Sequence, residues 1–164
     1  MPSKMFLKLG EIVGESEEVN HKQWIEILSW SHGFSQPTTP VRGSTSATTA
    51  QANHMDISFT KYLDCATDAI LSTCWRGEQL KAAAIECYRS DGGKTSVKYL
   101  EIAMEHVIVS NYSISGGGED IPMENISLSY GKTTYTYTPA AKKTGDAGAA
   151  QPVSHDLITE TVEG

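Results

Sequence analysis

Residues 94–139 decide the fold of this chain: KTSVKYLEIAMEHVIVSNYSIS, then GGGED, then IPMENISLSYGKTTYTYTP. In the first part, apolar residues occupy every second position, which is typical of a strand with one buried face. At about 3.3 Å per residue this strand is long, so we expect it to bend or break near His106. Glycines 116–118 predict a turn, because glycine enters positive φ without a steric penalty. The alternating row comprises Leu100, Ile102, Met104 and Ile108, continued by Tyr112 and Ile114.

The return strand changes phase at Gly131. A shift of one residue in register would turn half of its apolar side chains to the wrong face. We therefore predict a β-bulge at Gly131–Lys132, which would keep both halves on the useful face. Two long strands joined by a glycine turn form a curled sheet, as in a barrel or a sandwich. One parity holds Ile126, Leu128 and Tyr130, and the other holds Thr133, Tyr135 and Tyr137.

The composition limits the class of protein. The chain has 164 residues, which predicts a single domain over residues 1–164 that folds without a metal or a disulfide. It carries 13 Lys and Arg against 20 Asp and Glu, a net charge of −7. This balance excludes non-specific nucleic-acid binding, which depends on cationic neutralisation of phosphates.

The sequence also bears on compartment. Residues 1–16 lack the apolar run of a signal peptide, and no stretch approaches the length of a membrane span. We expect the chain to begin in the cytoplasm, with no membrane segment. Three cysteines without CxxC spacing are expected to be small buried hydrophobic residues rather than redox or metal groups.

Further strands are predicted on both sides of one helix. Strands are expected at 5–9, 24–32, 55–62 and 82–89; the third alternates apolar and polar residues, the second is partly apolar on both faces, and the fourth is predicted despite its alanines. In the second strand, one face carries Ile25, Ile27, Ser29 and Ser31. The serine hydroxyl groups make the C-terminal end of this face the more polar end.

The predicted helix lies between Asp64 and Gly77. Thr67 or Asp64 is expected to cap its start, and Gly77 suits the position after its end. Its amphipathic character predicts a helix on the side of the sheet structure. The residues at helical spacing are Ala66, Ile70, Leu71, Cys74 and Trp75.

Two segments are poor in large apolar residues. Residues 36–53 form a connection longer than compact domains usually have, so we predict an extended loop that reaches out of the domain, with disorder as the alternative. Residues 139–151 are of low complexity and predict a flexible segment before a possible last strand at 152–159.

The candidate catalytic motifs lack the structural context that their chemistry requires. Ser58 and Lys61 match SxxK and residues 143–145 match KTG, but the first pair lies in a strand pattern and the second in the flexible segment. A P-loop ending at Gly131 would need glycine where Ile126 stands. The five histidines lack metal-ligand spacing, and the sequons at 111–113 and 125–127 are interpreted as chance matches. No catalytic residue, cofactor or metal site is predicted, and the chain is not expected to be an enzyme.

The residues alone therefore predict an acidic antiparallel β-barrel made of two sheets with one flanking α-helix and a long loop. Such a domain either binds a small apolar ligand as a monomer or builds an assembly through its surfaces.

An ordered set of motifs resembles a known family. The resemblance runs from about residue 5 to residue 138 and is to Hcp, the hemolysin-coregulated tube protein of the bacterial type VI secretion system. The matching segments are 5–9, 14–16, 24–31 with Gly33, 58–62, 99–102, 107–110, 116–120 and 124–128.

The resemblance implies a barrel of two sheets with a flanking helix. It also implies a homohexameric ring with a wide channel. Rings of this family stack into a tube inside a contractile sheath, carry a tip-spike complex and hold effector proteins in the channel. The tube is expelled toward target cells, so the chain would be secreted without a cleaved signal peptide. Because the sequence stops at Gly164, we expect no toxic domain after the barrel.

Residue roles are carried over from the family only where positions match. Ser29 and Ser31 correspond to the region that borders the channel and are predicted to face it and contact cargo; an ordinary solvated sheet face is the alternative. His32 stands where relatives often have an aromatic residue. The extended loop corresponds to the segment that reaches the adjacent ring, and its predicted stacking residues are Pro40, Val41, Arg42, Gly43, Ser44 and Thr45.

Overall fold

A computed structural model describes residues 4–39, 48–49, 52–90, 96–139 and 150–164, which are mainly β with one helix. The elements are β1 (Lys4–Leu9), β2 (Ile25–Glu26), β3 (Ser29–Ser31), β4 (Phe34–Ser35), β5 (Thr38–Thr39), β6 (Thr48–Thr49), β7 (Asn53–His54), β8 (Ile57–Tyr62), α1 (Thr67–Arg76), β9 (Gln79–Ser90), β10 (Ser96–Ser115), β11 (Met123–Ser129), β12 (Lys132–Tyr137), β13 (Gln151–Asp156) and β14 (Thr161–Glu163).

Strand β10 is the centre of a ten-stranded antiparallel sheet. One of its edges pairs with β9. Its other edge pairs with β12 and then with β11, so these two strands lie end to end along it. The sheet continues through β1 and β2 beyond β9, through β8 and β3 beyond β11, and through β13 and β14 beyond β12. The long strand predicted from the alternating pattern is therefore confirmed as the organising element.

The predicted strand at 24–32 is divided into two strands with different partners. Strand β2 pairs with β1, whereas β3 pairs with β8. Between them, the Ile27 amide donates to Met5 O (3.2 Å) and the Leu28 amide donates to Thr60 O (2.8 Å). The single-strand prediction was wrong because one segment serves two neighbours. Within the described residues, the pairing of the strands does not close into a barrel.

The phase change at Gly131 is present, but it is not a β-bulge. Glu105 pairs with Lys132 and Ile108 pairs with Ser129, so the register against β10 is the same on both sides of Gly131. The predicted bulge at Gly131–Lys132 is wrong for this reason. Register shifts against β10 lie elsewhere, between Val109 and Asn111 toward β11 and between Lys98 and Leu100 toward β9.

The long strand changes phase at the matching place. His106 has a φ of 56° at the place where a bend or break is predicted, and the strand continues through it. Beyond it, Val107 is buried and Ile108 is 40% exposed. The predicted row of buried side chains therefore holds up to Met104. After His106 the buried position is Val107, one residue before the predicted Ile108. The long strand and the return segment therefore change phase at the same place, and the apolar side chains of both stay on the core side of the sheet.

One hydrophobic cluster of buried residues forms the core. Burial of these side chains is the dominant favourable contribution to folding. The cluster comprises Leu7, Leu9, Ile25, Ile27, Ile57, Phe59, Ala66, Ile70, Ala83, Ile85, Cys87, Ile102, Met104, Val107, Val109, Ile126, Leu128 and Tyr130.

Helix α1 begins at Thr67 and ends with Gly77 in the left-handed conformation, as predicted. Its N-cap is Ala66 without a side-chain cap, so neither predicted capping residue occupies that position. Asp64 Oδ1 instead accepts from the Ala66 amide in the preceding turn (3.0 Å). Trp75 is 78% exposed, so the predicted apolar face was too wide.

Three other predictions are changed by the structure. The last strand is a hairpin of β13 and β14, joined by a turn in which Asp156 Oδ1 accepts two backbone amides. Cys65 is exposed and Cys87 is buried, so the cysteines do not share one environment. The flexible segment predicted at 139–151 lies mostly outside the described residues.

Candidate assembly surfaces

Ser29 and Ser31 lie on β3 with their side chains exposed. The Ser29 hydroxyl shares a hydrogen bond with the Thr60 hydroxyl of β8 (2.5 Å). Ser31 pairs in register with Ser58, whose hydroxyl is 2.9 Å from that of Ser127. The two serines predicted to face a channel therefore lie on the side of the sheet opposite to the core.

These serines belong to a larger polar surface. The strand registers place two rows of small residues across β3, β8, β11 and β10, and both rows consist of uncharged side chains. We call this surface the serine-rich face. Its first row is Ser29, Thr60, Asn125 and Ser113, and its second row is Ser31, Ser58, Ser127 and Asn111.

Six of these eight residues were missed in the sequence analysis. The signal was present, because each of the four strands carries two small polar residues two positions apart. The residue between them turns inward, as Phe59 and Ile126 do with exposures of 1% and 0%. The sequons at 111–113 and 125–127 are thus two outward positions on neighbouring strands.

The SxxK pair does not assemble into a catalytic site. The Ser58 hydroxyl lies on the serine-rich face. Lys61 has opposite parity and is fully buried, with Nζ 3.1 Å from Glu124 Oε1. The lysine therefore cannot act as a base for this serine.

The long connection leaves the sheet as a two-stranded ribbon, which we call the arm. Its base is the pair β4 and β7, with Phe34 opposite His54, and its next ladder pairs β5 with β6. The loop predicted at 36–53 therefore contains paired residues near both of its ends, and its reach out of the domain stays a prediction. The predicted stacking residues Pro40, Val41, Arg42, Gly43, Ser44 and Thr45 lie outside the described residues.

A hydrogen-bonded row of side chains, which we call the histidine–tyrosine chain, lies beneath the base of the arm. His32 Nε2 is 2.6 Å from the Tyr130 hydroxyl, which is 2.7 Å from His54 Nδ1. His54 Nε2 is 2.7 Å from His155 Nδ1. His32 Nδ1 contacts the Tyr135 hydroxyl at the other end. The chain thereby joins the arm to β12 and β13.

The surroundings of this chain disfavour charge. Burial lowers the pKa of His32 to about 4, against the opposing effect of its bond to the Met55 carbonyl. Burial and the nearby His155 lower the pKa of His54. Burial raises the pKa of Tyr135 to about 12. A groove of about 750 Å³ borders the chain, and its walls include Phe34, Val153 and Val162.

In the part of the chain that the structure describes, no cluster of three or more His, Cys, Asp or Glu side chains could hold a metal ion. None of the helical structure described is long and apolar enough to cross a membrane.

Several large apolar side chains lie on the surface. Trp75 and Val162 are 78% and 68% exposed, and Ile121 is 61% exposed. Exposed apolar patches on proteins commonly mark contacts with other molecules. These side chains are distributed over α1, the C-terminal hairpin and the loop before β11.

Comparison with known proteins places this arrangement in a family. Residues 6–137 match the family described as "Type VI secretion system effector, Hcp". The chain is 35% identical over 156 residues to "Protein hcp1" of Pseudomonas aeruginosa, covering 94% of each chain. It is 24% identical over 132 residues to the "Major exported protein" of the same organism, covering 76% of this chain and 75% of that protein.

Solved structures agree. A structure titled "Structure of a type six secretion system protein" superposes with a TM-score of 0.90 at 30% identity, covering 99% of this chain and 100% of the other. Hcp1 from Salmonella typhimurium gives a TM-score of 0.79 at 25% identity, again covering 99% of this chain and 100% of the other. The chain belongs to the Hcp family of type VI secretion proteins.

Proposed function

We propose that this chain is the tube subunit of a type VI secretion system. It assembles as a single domain into hexameric rings, the rings stack through the arm, and the channel carries effector proteins. The tube forms in the cytoplasm inside a sheath, bears a tip-spike complex and is expelled from the cell. The subunit needs no cofactor and is not an enzyme.

The serine-rich face carries this proposal. The chain is acidic, with a net charge of −7, yet the eight residues of this face are uncharged. A channel wall that neither attracts nor repels charge lets cargo of differing composition enter and leave. We infer that Ser29 and Ser31 face the channel together with their six neighbours.

The sheet supports a closed barrel as the ring-forming body. Strands β2 and β3 are separated by two residues, and the amides of both residues are hydrogen-bonded to the neighbouring strands. We infer that β2, the two hydrogen-bonded residues after it and β3 together bridge β1 and β8 and so close the path between them. Closure removes two open edges, which would otherwise pair with other chains without control.

The arm supports stacking. Its stem is a paired ribbon, formed by β4 with β7 and by β5 with β6. Residues 40–45 are those we expect to reach the adjacent ring.

Deleting residues 36–53 tests the stacking role. We expect the variant to form rings with six times the mass of the chain by light scattering. Negative-stain images of these rings should show no stacks, and sheath-dependent export should be lost. A second variant replaces residues 40–45 with an equal number of Gly and Ser residues. It keeps the ribbon and removes only the proposed contacts. Export of the deletion variant at the level of the parent would contradict the stacking role.

The mass measurement also separates this proposal from its alternative. A strict monomer at all concentrations would favour a barrel that binds a small apolar ligand. The groove beside Phe34, Val153 and Val162 would then be the place to look for that ligand.

A further inference from the structure

In the histidine–tyrosine chain, the Met55 carbonyl determines which atom donates and which accepts in each hydrogen bond. This carbonyl accepts only, and it lies 3.0 Å from His32 Nε2, so that nitrogen carries hydrogen. His32 Nδ1 is then the acceptor, and the Tyr135 hydroxyl donates to it.

The direction propagates through the rest of the chain. The hydrogen on His32 Nε2 also faces the Tyr130 oxygen, so the Tyr130 hydroxyl donates its own hydrogen to His54 Nδ1 (2.7 Å). His54 therefore carries its hydrogen on Nε2 and donates it to His155 Nδ1 (2.7 Å). Every bond in the chain is satisfied when all three histidines are neutral.

An additional proton has no place on the hydrogen-bonding nitrogens that join His54 to Tyr130 and to His155. A hydrogen on His155 Nδ1 would point at the hydrogen on His54 Nε2 across 2.7 Å. A hydrogen on His54 Nδ1 would leave the Tyr130 hydroxyl without its acceptor. Two imidazolium rings in contact would also repel each other, with ring centroids 4.7 Å apart.

Other charged groups near the chain are few among the described residues. Asp56, beside β8, favours protonation of His32, whereas His54 opposes it. Glu160, from the turn between β13 and β14, lines the same groove as His54 and His155. The hydroxyls of Tyr130 and Tyr135 remain neutral, because burial raises the pKa of both. Neither carboxylate has a hydrogen bond to an imidazole of the chain among the described contacts.

We propose that the histidine–tyrosine chain is a pH-sensitive latch that holds the base of the arm on the sheet at neutral pH and releases it in mildly acidic solution. Its members come from the arm base and from β12 and β13, so loss of the bonds frees β4 and β7. The consequence for tube stacking rests on the function proposed above, whereas the latch itself does not.

The direction of the pH effect follows from how many protons the folded state and the released state bind. The pKa of His32 and the pKa of His54 are lowered in the folded chain, so below the usual value near 6.5 the unfolded or released state binds more protons. The latch is therefore at full strength above about pH 6.5 and weakens as the pH falls toward 4.

Hydrogen exchange on unstacked rings tests the latch. Protection of the arm base, reported by the Met55 amide that donates to Gly33 O, is measured at about pH 7.5 and about pH 5 and corrected for intrinsic exchange. We expect protection there to fall at least about tenfold, while amides of β9 and β10 keep theirs. Equal protection of the arm base at both pH values, or the same loss throughout the sheet, would overturn the proposal.

The variant His32→Gln/His54→Gln replaces both histidines whose pKa is lowered, so it separates their protonation from other effects of acidic pH. Glutamine accepts and donates at one end, as a neutral imidazole does, but it does not titrate. We expect the arm base of this variant to keep its protection at both pH values. The control is His106→Asn, which removes an exposed histidine outside the chain and should behave as the parent does. If the double variant does not fold, NMR titration of the parent decides: His54 must titrate below its usual range, and titration at or above it refutes the latch.

Electron microscopy of stacked rings then connects the latch to assembly. Tubes that shorten in acid in the parent and not in the double variant would support the regulatory role. Failure of the parent to stack at any pH would count against the proposed function and leave the exchange result standing. Tubes of unchanged length in acid would overturn the link between the latch and stacking.

Discussion

His106 is a non-glycine residue with a φ of 56° in the longest strand. Left-handed backbone costs an L-residue about 1–2 kcal/mol, so the surrounding structure must hold it there. Gly131 lies opposite. A Cβ at Gly131 would lie 2.8 Å from Ile158 Cδ1, the end of a flexible side chain, and 3.2 Å from His106 Cβ, so the tight contact that disfavours a larger residue is the one with His106. The paired phase change thus depends on two residues, one strained and one small.

This strain gives a prediction for His106→Val. A β-branched side chain tolerates positive φ poorly, so we expect the free energy of unfolding to fall by about 1–3 kcal/mol, measured by urea denaturation. Glu105→Val is the matched control, because Glu105 is the exposed preceding residue and its φ is not positive. Equal effects of the two substitutions would show that the backbone at His106 is not strained.

At the scale of the element, a buried ion pair fixes helix α1 against the sheet. Lys61 Nζ contacts Glu124 Oε1 at 3.1 Å and Asp64 Oδ1 at 2.8 Å. The Thr67 hydroxyl, in the first turn of the helix, donates to the same Glu124 oxygen (2.6 Å). Lys61 and Glu124 are both fully buried, so each depends on the other for compensation of its charge.

We therefore expect Lys61→Met to lower the free energy of unfolding by about 3–5 kcal/mol, because it leaves the Glu124 carboxylate buried without its cation. The double variant Lys61→Met/Glu124→Leu should lose less, since the fully buried carboxylate is removed with its cation and only the partly exposed Asp64 loses a partner. Chemical denaturation measures both. The control is Lys98→Met, whose lysine is 38% exposed and pairs with carboxylates near the surface. A double variant less stable than the single one would contradict this account.

Elements were predictable where a local pattern decides them. Strands β1, β8 and β10 follow alternating apolar residues, and α1 ends at a glycine, so residues close in sequence carry the information. The division of 24–32 was not predictable, because it depends on which strand accepts each amide. The bulge at Gly131–Lys132 failed for the same reason: the compensating change is at His106, in a strand 25 positions earlier in the sequence.

The candidate surfaces show the same division at the scale of the whole molecule. Ser29 and Ser31 were predicted from the family resemblance, but their six neighbours on the serine-rich face required the strand registers. The histidine–tyrosine chain could not be predicted, because its histidines are at positions 32, 54 and 155 and meet only through the arm base and the C-terminal hairpin.

At this scale the serine-rich face makes the last prediction, for Ser31→Gln. The larger side chain stands at the β3 end of the second row, so it adds bulk to the proposed channel wall without touching the core. We expect rings of unchanged mass by light scattering. The amount of effector recovered with purified rings should fall by about tenfold, which corresponds to about 1.4 kcal/mol of binding free energy. The control Lys22→Gln places the same side chain at an exposed position away from this face. Equal effector recovery with Ser31→Gln and with the parent would show that cargo does not contact this face, whereas loss of the rings would place Ser31 in a subunit contact.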